Sequence, residues 1–146
     1  MLEINIVPVS KDNWFECTKL SITKEQENIF PAGVVYWLAE SKFENSFIPL
    51  SIYLKDTLIG FCTIGIEPDT NLMWIIAFMI DKKYQGNGYG KRALEKLIGY
   101  IRRNYEGDSL TIGHRPENIV AEKLYSSFGF IEISRTKKEV LRRLTF

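Results

Sequence analysis

The sequence predicts an α/β (α+β) chain with one domain over residues 1–146, a mixed, mostly antiparallel central sheet of six to seven strands, and helices on both faces. Three observations predict this fold class. Two strand-like runs, 47–54 and 58–66, are joined by Lys55-Asp56-Thr57, which suits a tight antiparallel hairpin. Residues 72–80 are nearly all apolar, which is typical of a central strand covered on both faces. Helical and strand-like runs give the order β, α, α, β, β, β, α, β, α, β, β.

The first third of the chain begins with a predicted strand and a short helix. Residues 3–9 alternate well enough for a strand that ends near Pro8. Asn13 is followed three residues later by Glu16, a spacing typical of a capping box at a helix start. The side chains expected to face inward from this segment are Trp14, Cys17 and Ile22.

A second helix is predicted over residues 32–40, with Pro31 at its start. The residues expected to form its apolar side are Val34, Val35, Trp37 and Leu38. Tyr36 and Trp37 could line a substrate pocket, but an aromatic pair at helical spacing is more often part of the core, and we interpret it so.

The second half of the chain contains clearer signals. Gly60 and Gly65 interrupt the second hairpin strand, which predicts a bulge or a close backbone approach. A helix follows the glycine-rich residues 85–91 and ends near residues 102–104, which include two arginines suited to a helix C-terminus. The remaining elements are a strand over 109–113, a helix over 118–128 closed by Gly129, and strands over 130–134 and 139–144.

Composition limits the class of function. The chain has 146 residues, 45% hydrophobic content and a formal net charge of +1, so it can bury one core and has no general nucleic-acid surface. Cys17 and Cys62 match neither a disulfide framework nor a metal pair, and no metal is expected. Without a signal-peptide pattern or a membrane-length apolar run, we expect a cytoplasmic protein with neither a membrane nor a nucleic-acid partner.

Residues 85–91, Gln-Gly-Asn-Gly-Tyr-Gly-Lys, join the apolar strand to the following helix. Glycines let the backbone adopt positive φ and approach a ligand closely, and a helix start offers unpaired N–H groups and a positive dipole end. Lys91 adds a full positive charge. The pattern predicts a backbone cradle for phosphate or pyrophosphate. Its glycine spacing fits neither a Walker loop nor a dinucleotide fingerprint.

Two motifs occur in order along this half of the chain. The first is Gln-x-x-Gly-x-Gly at Gln85, Gly88 and Gly90, preceded by Phe-Met-Ile-Asp at 78–81. The second is Asn-x-x-Ala-x-x-x-Tyr-x-x-x-Gly-Phe over residues 118–130. Together they resemble the GNAT superfamily of N-acetyltransferases, whose order of elements is also that predicted here. The resemblance covers the hairpin to the C-terminus, and the first third only by element order.

This resemblance implies an acetyl-CoA-dependent N-acetyltransferase that moves an acetyl group directly from the thioester to a primary amine. The backbone of Phe78, Met79 and Ile80 would pair with the pantetheine arm, where the sheet is splayed open. Asn118 would contact the pantetheine. Tyr125, the one catalytic residue expected, would protonate the departing thiolate. The loop residues implied to bind the cofactor, chiefly its pyrophosphate, are Gln85, Gly86, Asn87, Gly88, Tyr89, Gly90 and Lys91.

The residues alone leave other interpretations open. Tyr125 on an amphipathic helix also fits a core tyrosine, and Asn118 fits an ordinary N-cap. An alkylamine acceptor, with an ordinary pKa near ~10.4, must lose a proton before it attacks. A relay of waters would serve as well as a single base, so no residue is assigned. The candidate bases are Glu67, Asp69, His114 and Glu117.

The nearest subgroup by resemblance is the bacterial spermine/spermidine acetyltransferases, judged from chain length, Gln26 before Ile29-Phe30, Tyr84 before the loop, and the closing strand of alternating charge. Polyamines need carboxylates along their path. However, residues 75–77 are Ile-Ile-Ala, where this subgroup is expected to carry a charge. The glutamates that could supply it are Glu25, Glu27, Glu40 and Glu44, although a solvated helix face is their simpler interpretation.

Three functions are compatible with these patterns. The first is acetylation of a small-molecule amine, with polyamines as a refinement. The second is acetylation of a protein amino group or an aminoglycoside. The third is a non-catalytic CoA-binding module, which the intact Gln85, Asn118 and Tyr125 disfavour. A homodimer is compatible with a chain of this size.

Overall fold

One seven-stranded sheet organises the computed structural model, which describes residues 3–24 and 33–146. The strands lie in the order β1-β2-β3-β4-β5-β7-β6, and all neighbours are antiparallel except the parallel pair β4 and β5. The predicted mixed, mostly antiparallel sheet is confirmed. The strands are β1 Ile4–Pro8, β2 Phe47–Leu54, β3 Thr57–Ile66, β4 Met73–Ile80, β5 Ser109–His114, β6 Ile131–Arg135 and β7 Val140–Thr145.

Helices cover both faces of the sheet, as predicted. In the described part of the chain they are α1 Trp14–Cys17, α2 Val34–Phe43, α3 Tyr89–Asn104 and α4 Ile119–Ser127. On one face, α3 and α4 pack into the larger core cluster, which includes Leu94, Ile75 and Ile112. On the other face, α1 and α2 pack into a smaller cluster around Phe61 and Met79. No helix among these residues is long and apolar enough to cross a membrane.

The hairpin between β2 and β3 is confirmed with a shorter turn. Lys55 adopts φ 53°, and Thr57 already belongs to β3 and pairs with Leu54. Gly60 provides the close approach that the sequence predicted, because a Cβ there would stand 2.5 Å from the carbonyl oxygen of Met79 on β4. Glycine therefore allows β3 and β4 to pack at their normal separation at this position.

The end of α4 is also as predicted. Gly129 adopts φ 96°, its N–H donates to the carbonyl of Ser126, and the N–H of Phe130 donates to the carbonyl of Tyr125. This pair of bonds satisfies the last carbonyls of the helix and turns the chain towards β6.

The predicted capping box at α1 is wrong. The side chain of Asn13 makes no cap hydrogen bond. Its Oδ1 accepts from the N–H of Ser10, and its Nδ2 donates to Ser51 on β2 at 3.2 Å. Trp14 is 49% exposed instead of inward, whereas Cys17 is buried as predicted. The oxygen that would cap α1 is thus occupied by the N–H of Ser10, and the amide nitrogen can only donate.

Predictions for α2 are partly wrong. Val34 is buried and Trp37 packs with Leu38 against the smaller cluster, but Val35 and Tyr36 are 60% and 53% exposed. The buried positions follow i, i+3 and i+4, so the neighbouring residues point to solvent. The predicted start at Pro31, together with Glu25, Gln26, Glu27, Ile29 and Phe30, lies outside the described residues.

Candidate active site

The sheet opens between its two parallel strands. β4 pairs with β5 only through Met73, Trp74 and Ile75, although β4 continues to Ile80 beside β3 and β5 continues to His114 beside β7. Beyond Ile75, the edge of β4 that faces β5 has no strand partner within residues 3–24 and 33–146. Backbone N–H and C=O groups on such an edge can bind an extended ligand as an added strand. We call residues 76–80 the open half of β4.

A β-bulge marks the start of the open half. Thr63 pairs with Ala77 and Ile64 pairs with Ile75, so Ile76 is an extra residue on β4. A bulge bends the strand and redirects the backbone groups beside it. The opening therefore begins where the register of β4 changes.

The glycine-rich residues 85–91 follow the open half of β4. Gly86 and Gly88 adopt φ 82° and 81°, and a Cβ at either position would meet no atom within 4 Å. Gly88 is the N-cap of α3, so no side chain occupies the cap, and the first turn contains no acidic residue. The N–H groups of this turn and the exposed Lys91 provide a positive surface suited to phosphate.

Side-chain hydrogen bonds fix this loop to β4. Gln85 Nε2 donates to the carbonyl of Ile80 at 2.8 Å, which anchors the loop to the end of the strand. Asn87 Nδ2 donates to the carbonyls of Tyr84 and Gln85 and holds the turn from inside. Tyr89 packs its side chain against the larger core cluster. The predicted loop residues thus come together, but Gln85, Asn87 and Tyr89 have evident structural roles.

Tyr125 lies on α4 in the layer that packs behind the opening. It is 7% exposed, and its ring centroid is 5.9 Å from that of His114 and 6.0 Å from that of Phe130. Within the described residues its hydroxyl has no hydrogen-bond partner, yet it is not among the fully enclosed polar atoms. Burial raises the pKa of Tyr125 to about 12, so the phenol remains protonated at neutral pH and can donate a hydrogen bond.

Asn118 is the N-cap of α4. Its Oδ1 accepts a hydrogen bond of 3.0 Å from the N–H of Ala121. Removal of this cap would leave a helix N–H without its partner. The structure therefore gives Asn118 the structural role that the sequence left open, and its Nδ2 retains donor capacity for a ligand.

His114 has no nitrogen available to act as a base. Arg142 donates from Nε to His114 Nε2 at 3.0 Å, and because arginine can only donate, Nε2 must be unprotonated. His114 Nδ1 lies 2.8 Å from the carbonyl oxygen of Arg115 and therefore carries the proton. Arg142, which also donates to Ser126 and Glu122, could not be identified from sequence patterns.

The three carboxylate candidates differ in their surroundings. Glu67 accepts hydrogen bonds from Thr70 and from Trp74 Nε1. It therefore lies beside β4 at Trp74, which is two residues before the bulge at Ile76. Glu117 forms an exposed ion pair with Arg115 at 2.9 Å, and Asp69 is exposed in the turn before β4. Glu67 is thus the candidate that the structure connects directly to β4.

A separate hollow of about 340 Å³ lies between the loops that precede β4 and β5. It is lined by residues such as Thr70 and Asp108, and Asp108 is its only ionisable side chain. It lies at the paired end of β4, away from the glycine loop. Among the described residues, no group of three His, Cys, Asp or Glu side chains is placed to bind a metal ion.

Comparison with known proteins identifies the family to which this geometry belongs. A family model described as the acetyltransferase (GNAT) family matches residues 11–130. The chain belongs to the GNAT family of acetyltransferases. It is 30% identical over 135 residues to the spermine/spermidine N(1)-acetyltransferase of Bacillus subtilis, with 88% of each chain covered.

Solved structures of other acetyltransferases share the GNAT fold of this chain. One is an aminoglycoside acetyltransferase in complex with coenzyme A, with TM-score 0.80, 13% identity, and coverage of 98% of this chain and 95% of that one. Another is spermidine N-acetyltransferase from Vibrio cholerae in complex with coenzyme A and spermine. Its TM-score is 0.76 at 13% identity, covering 96% and 92% of the two chains.

Family membership establishes the chemistry of this GNAT acetyltransferase. It uses acetyl-CoA as the acyl donor and transfers the acetyl group to a primary amine. The hydrogen-bonding groups of the site fit this cosubstrate. They are an open strand edge, a glycine turn with no neighbouring atom in the space where a Cβ would lie, and a helix start without acidic side chains. No enzyme nucleophile is needed, and Cys62 is fully buried with its thiol pKa raised by burial.

Proposed function

We propose that this acetyltransferase acts on a small polyamine-like alkylamine such as spermine or spermidine. The observation that carries the proposal is the 30% identity to the Bacillus subtilis spermine/spermidine enzyme over 88% of both chains.

We infer that the open half of β4 binds the pantetheine arm through the backbone of Phe78, Met79 and Ile80. The absence of a strand partner for this edge beyond Ile75 supports the inference. We infer that Gly86, Gly88, Gly90 and Lys91 bind the pyrophosphate. The positive φ of the first two glycines and the uncapped start of α3 support this assignment.

Tyr125 is our proposed acid. In the reaction, the amine nitrogen forms a bond to the acetyl carbon, the bond from that carbon to sulfur breaks, and the nitrogen loses a proton while the thiolate gains one. A buried phenol that remains protonated is suited to donate to sulfur. The freedom of its hydroxyl from partners among the described residues supports this role.

Recognition of a polyamine requires carboxylates outside β4, because Ile75, Ile76 and Ala77 are apolar. Glu67 is proposed as one of them, since it lies beside Trp74 next to the opening. Glu40 accepts a hydrogen bond from Tyr36 on the exposed side of α2, and Glu44 is exposed, which supports a solvated role for both.

An acceptor screen tests this proposal. Release of CoA thiol would be measured with spermine, spermidine, an aminoglycoside and a peptide with a free N-terminus. We expect the highest kcat/KM with spermine or spermidine, and a decline in that rate as added salt screens the cationic acceptor. A higher kcat/KM for the aminoglycoside or peptide, or a salt-independent rate on spermidine, would replace the polyamine assignment.

We also propose a cytoplasmic setting and a homodimer. Two free, buried cysteines, Cys17 and Cys62, are suited to a reducing compartment. The outer strand β6 exposes Ile131 and Ile133, which provides apolar surface for a second copy. Light scattering that gives the mass of one chain, 16.9 kDa, at micromolar concentration would exclude the dimer.

A further inference from the structure

A buried carboxylate stands between the open half of β4 and the glycine loop. Asp81 is 4% exposed, and its Oδ1 accepts a hydrogen bond of 2.8 Å from the backbone N–H of Ser21. Ser21 lies in the segment after α1, which we call the α1 segment and define as residues 18–24. A buried carboxylate is costly unless hydrogen bonds stabilise its charge, so this bond is a strong restraint on the α1 segment.

The connection between these two regions is reciprocal. The N–H of Lys82 donates to the carbonyl of Ser21 at 2.7 Å, so bonds run in both directions between the α1 segment and the end of β4. The N–H of Asp81 donates to the carbonyl of Ile59, which keeps the residue in line with β3. The backbone N–H groups of residues 81 and 82 are therefore used in bonds within the protein, and the glycine turn begins further along at Gly86.

Apolar contacts place the α1 segment over the open half of β4. Leu20 and Ile22, which flank Ser21, pack against the smaller core cluster that contains Met79. Ile80, the next residue, points to the opposite face and packs with α3 and α4. The α1 segment and α2 thus cover the face away from Tyr125.

The approach of the amine follows from this arrangement. Acetyl-CoA paired with the open edge of β4 would lie in the plane of the sheet, with the proposed acid Tyr125 on the side of α3 and α4. We place the attacking amine on the opposite face, which the α1 segment and α2 cover. The position of that segment then controls the angle at which the amine reaches the reacting carbon.

We propose that Asp81 is a positioning residue for the acceptor amine, acting through Ser21 to hold the α1 segment over the open half of β4. This inference rests on the proposed cofactor placement. Asp81 is assigned this positioning role and not that of the base, because its Oδ1 already accepts the N–H of Ser21 and its side chain is buried.

Four variants separate this role from a general structural one. Asp81→Leu removes the acceptor, and Ser21→Pro removes the donor without touching the glycine loop. Asp81→Asn keeps an acceptor oxygen, and Ser21→Ala keeps the backbone N–H and serves as the matched control. Each is assayed for KM and kcat with the amine that the wild type uses best, and for CoA affinity by calorimetry.

We expect Asp81→Leu and Ser21→Pro to raise the KM for the amine about tenfold or more, the scale of a charge-assisted hydrogen bond, with CoA affinity changed less than about twofold. Asp81→Asn should fall between these variants and the wild type, and Ser21→Ala should match the wild type. If Asp81→Leu fails to fold, Ser21→Pro and Asp81→Asn still decide the matter.

Equal losses of CoA affinity and amine KM would overturn the proposal, because Asp81 would then belong to the cofactor loop. An unchanged amine KM in Ser21→Pro would overturn it as well. The result of the acceptor screen does not decide this test, because the variants are compared with the wild type on whichever amine proves to be a substrate. Loss of CoA binding in Gly88→Asp, tested separately, checks the cofactor placement on which the inference rests.

Discussion

The two halves of β4 are both apolar in sequence but differ in whether they pair with β5. Met73, Trp74 and Ile75 complete a parallel pair with β5, whereas residues 76–80 pair only with β3 among the described residues. Both halves contribute buried side chains to the core. The difference begins at the bulge at Ile76, a feature of strand register and not of composition. The proposed site uses the half of this central strand that does not pair with β5.

The largest effect is expected at the glycine turn beside the open half. Gly88→Asp places a carboxylate and a Cβ where φ is 81° and where the pyrophosphate is proposed to bind, and should weaken CoA binding about a hundredfold or more in calorimetry. Gly107→Asp is the matched control, because Gly107 also has positive φ and open space but precedes β5 at the paired end. Equal losses in both variants would remove the glycine turn from the site.

A smaller effect is expected from Tyr125→Phe, which keeps the ring packed against Phe130 and removes only the hydroxyl. Turnover should decrease about tenfold to a hundredfold, with CoA affinity within about twofold of the wild type, because the donor to sulfur is lost. Steady-state kinetics and calorimetry measure the two quantities. Tyr100→Phe, on α3, is the control and should keep wild-type turnover. Full activity in Tyr125→Phe would show that Tyr125 is not the acid.

The smallest effect is a change in the free energy of unfolding, at two fully buried threonines on the strands that pair with the two halves of β4. Thr63 pairs with Ala77 in the open half, and its hydroxyl has no hydrogen-bond partner in the described part of the chain. Thr111 pairs with Trp74 in the paired half, and its hydroxyl accepts a hydrogen bond from Arg143 Nε. Thr63→Val should raise the free energy of unfolding by about 1 kcal/mol, and Thr111→Val should lower it by a similar amount. Urea denaturation that destabilises Thr63→Val would show that its hydroxyl has a hidden partner.

The sequence predicted those parts of the fold that short segments determine. The Gly129 helix end, the hairpin at Lys55 and the turn at Gly88 depend on a few consecutive residues, and each was located correctly. The cap predicted at Asn13 is wrong because its Oδ1 accepts from the N–H of Ser10, and Trp14 is exposed on a helix of four residues. The bond from Asn13 Nδ2 to Ser51 on β2 also orients this side chain, and local patterns cannot predict so distant a partner.

The candidate site shows the same division. Motif spacing predicts both the glycine turn, which follows the open half of β4, and the tyrosine of α4, which packs beside His114 at the end of β5. His114 could not be excluded as a base from sequence, because its engagement by Arg142 links positions 28 residues apart across β5 and β7. The contact of Asp81 with Ser21 could not be predicted from sequence either, because the two residues are 60 positions apart.

Amide hydrogen exchange with and without CoA tests the central claim most directly. We predict that CoA slows exchange at amides in residues 76–80 and 88–91 and leaves Met73, Trp74 and Ile75 unchanged. Protection confined to the paired half, or no protection in either half at saturating CoA, would contradict the account.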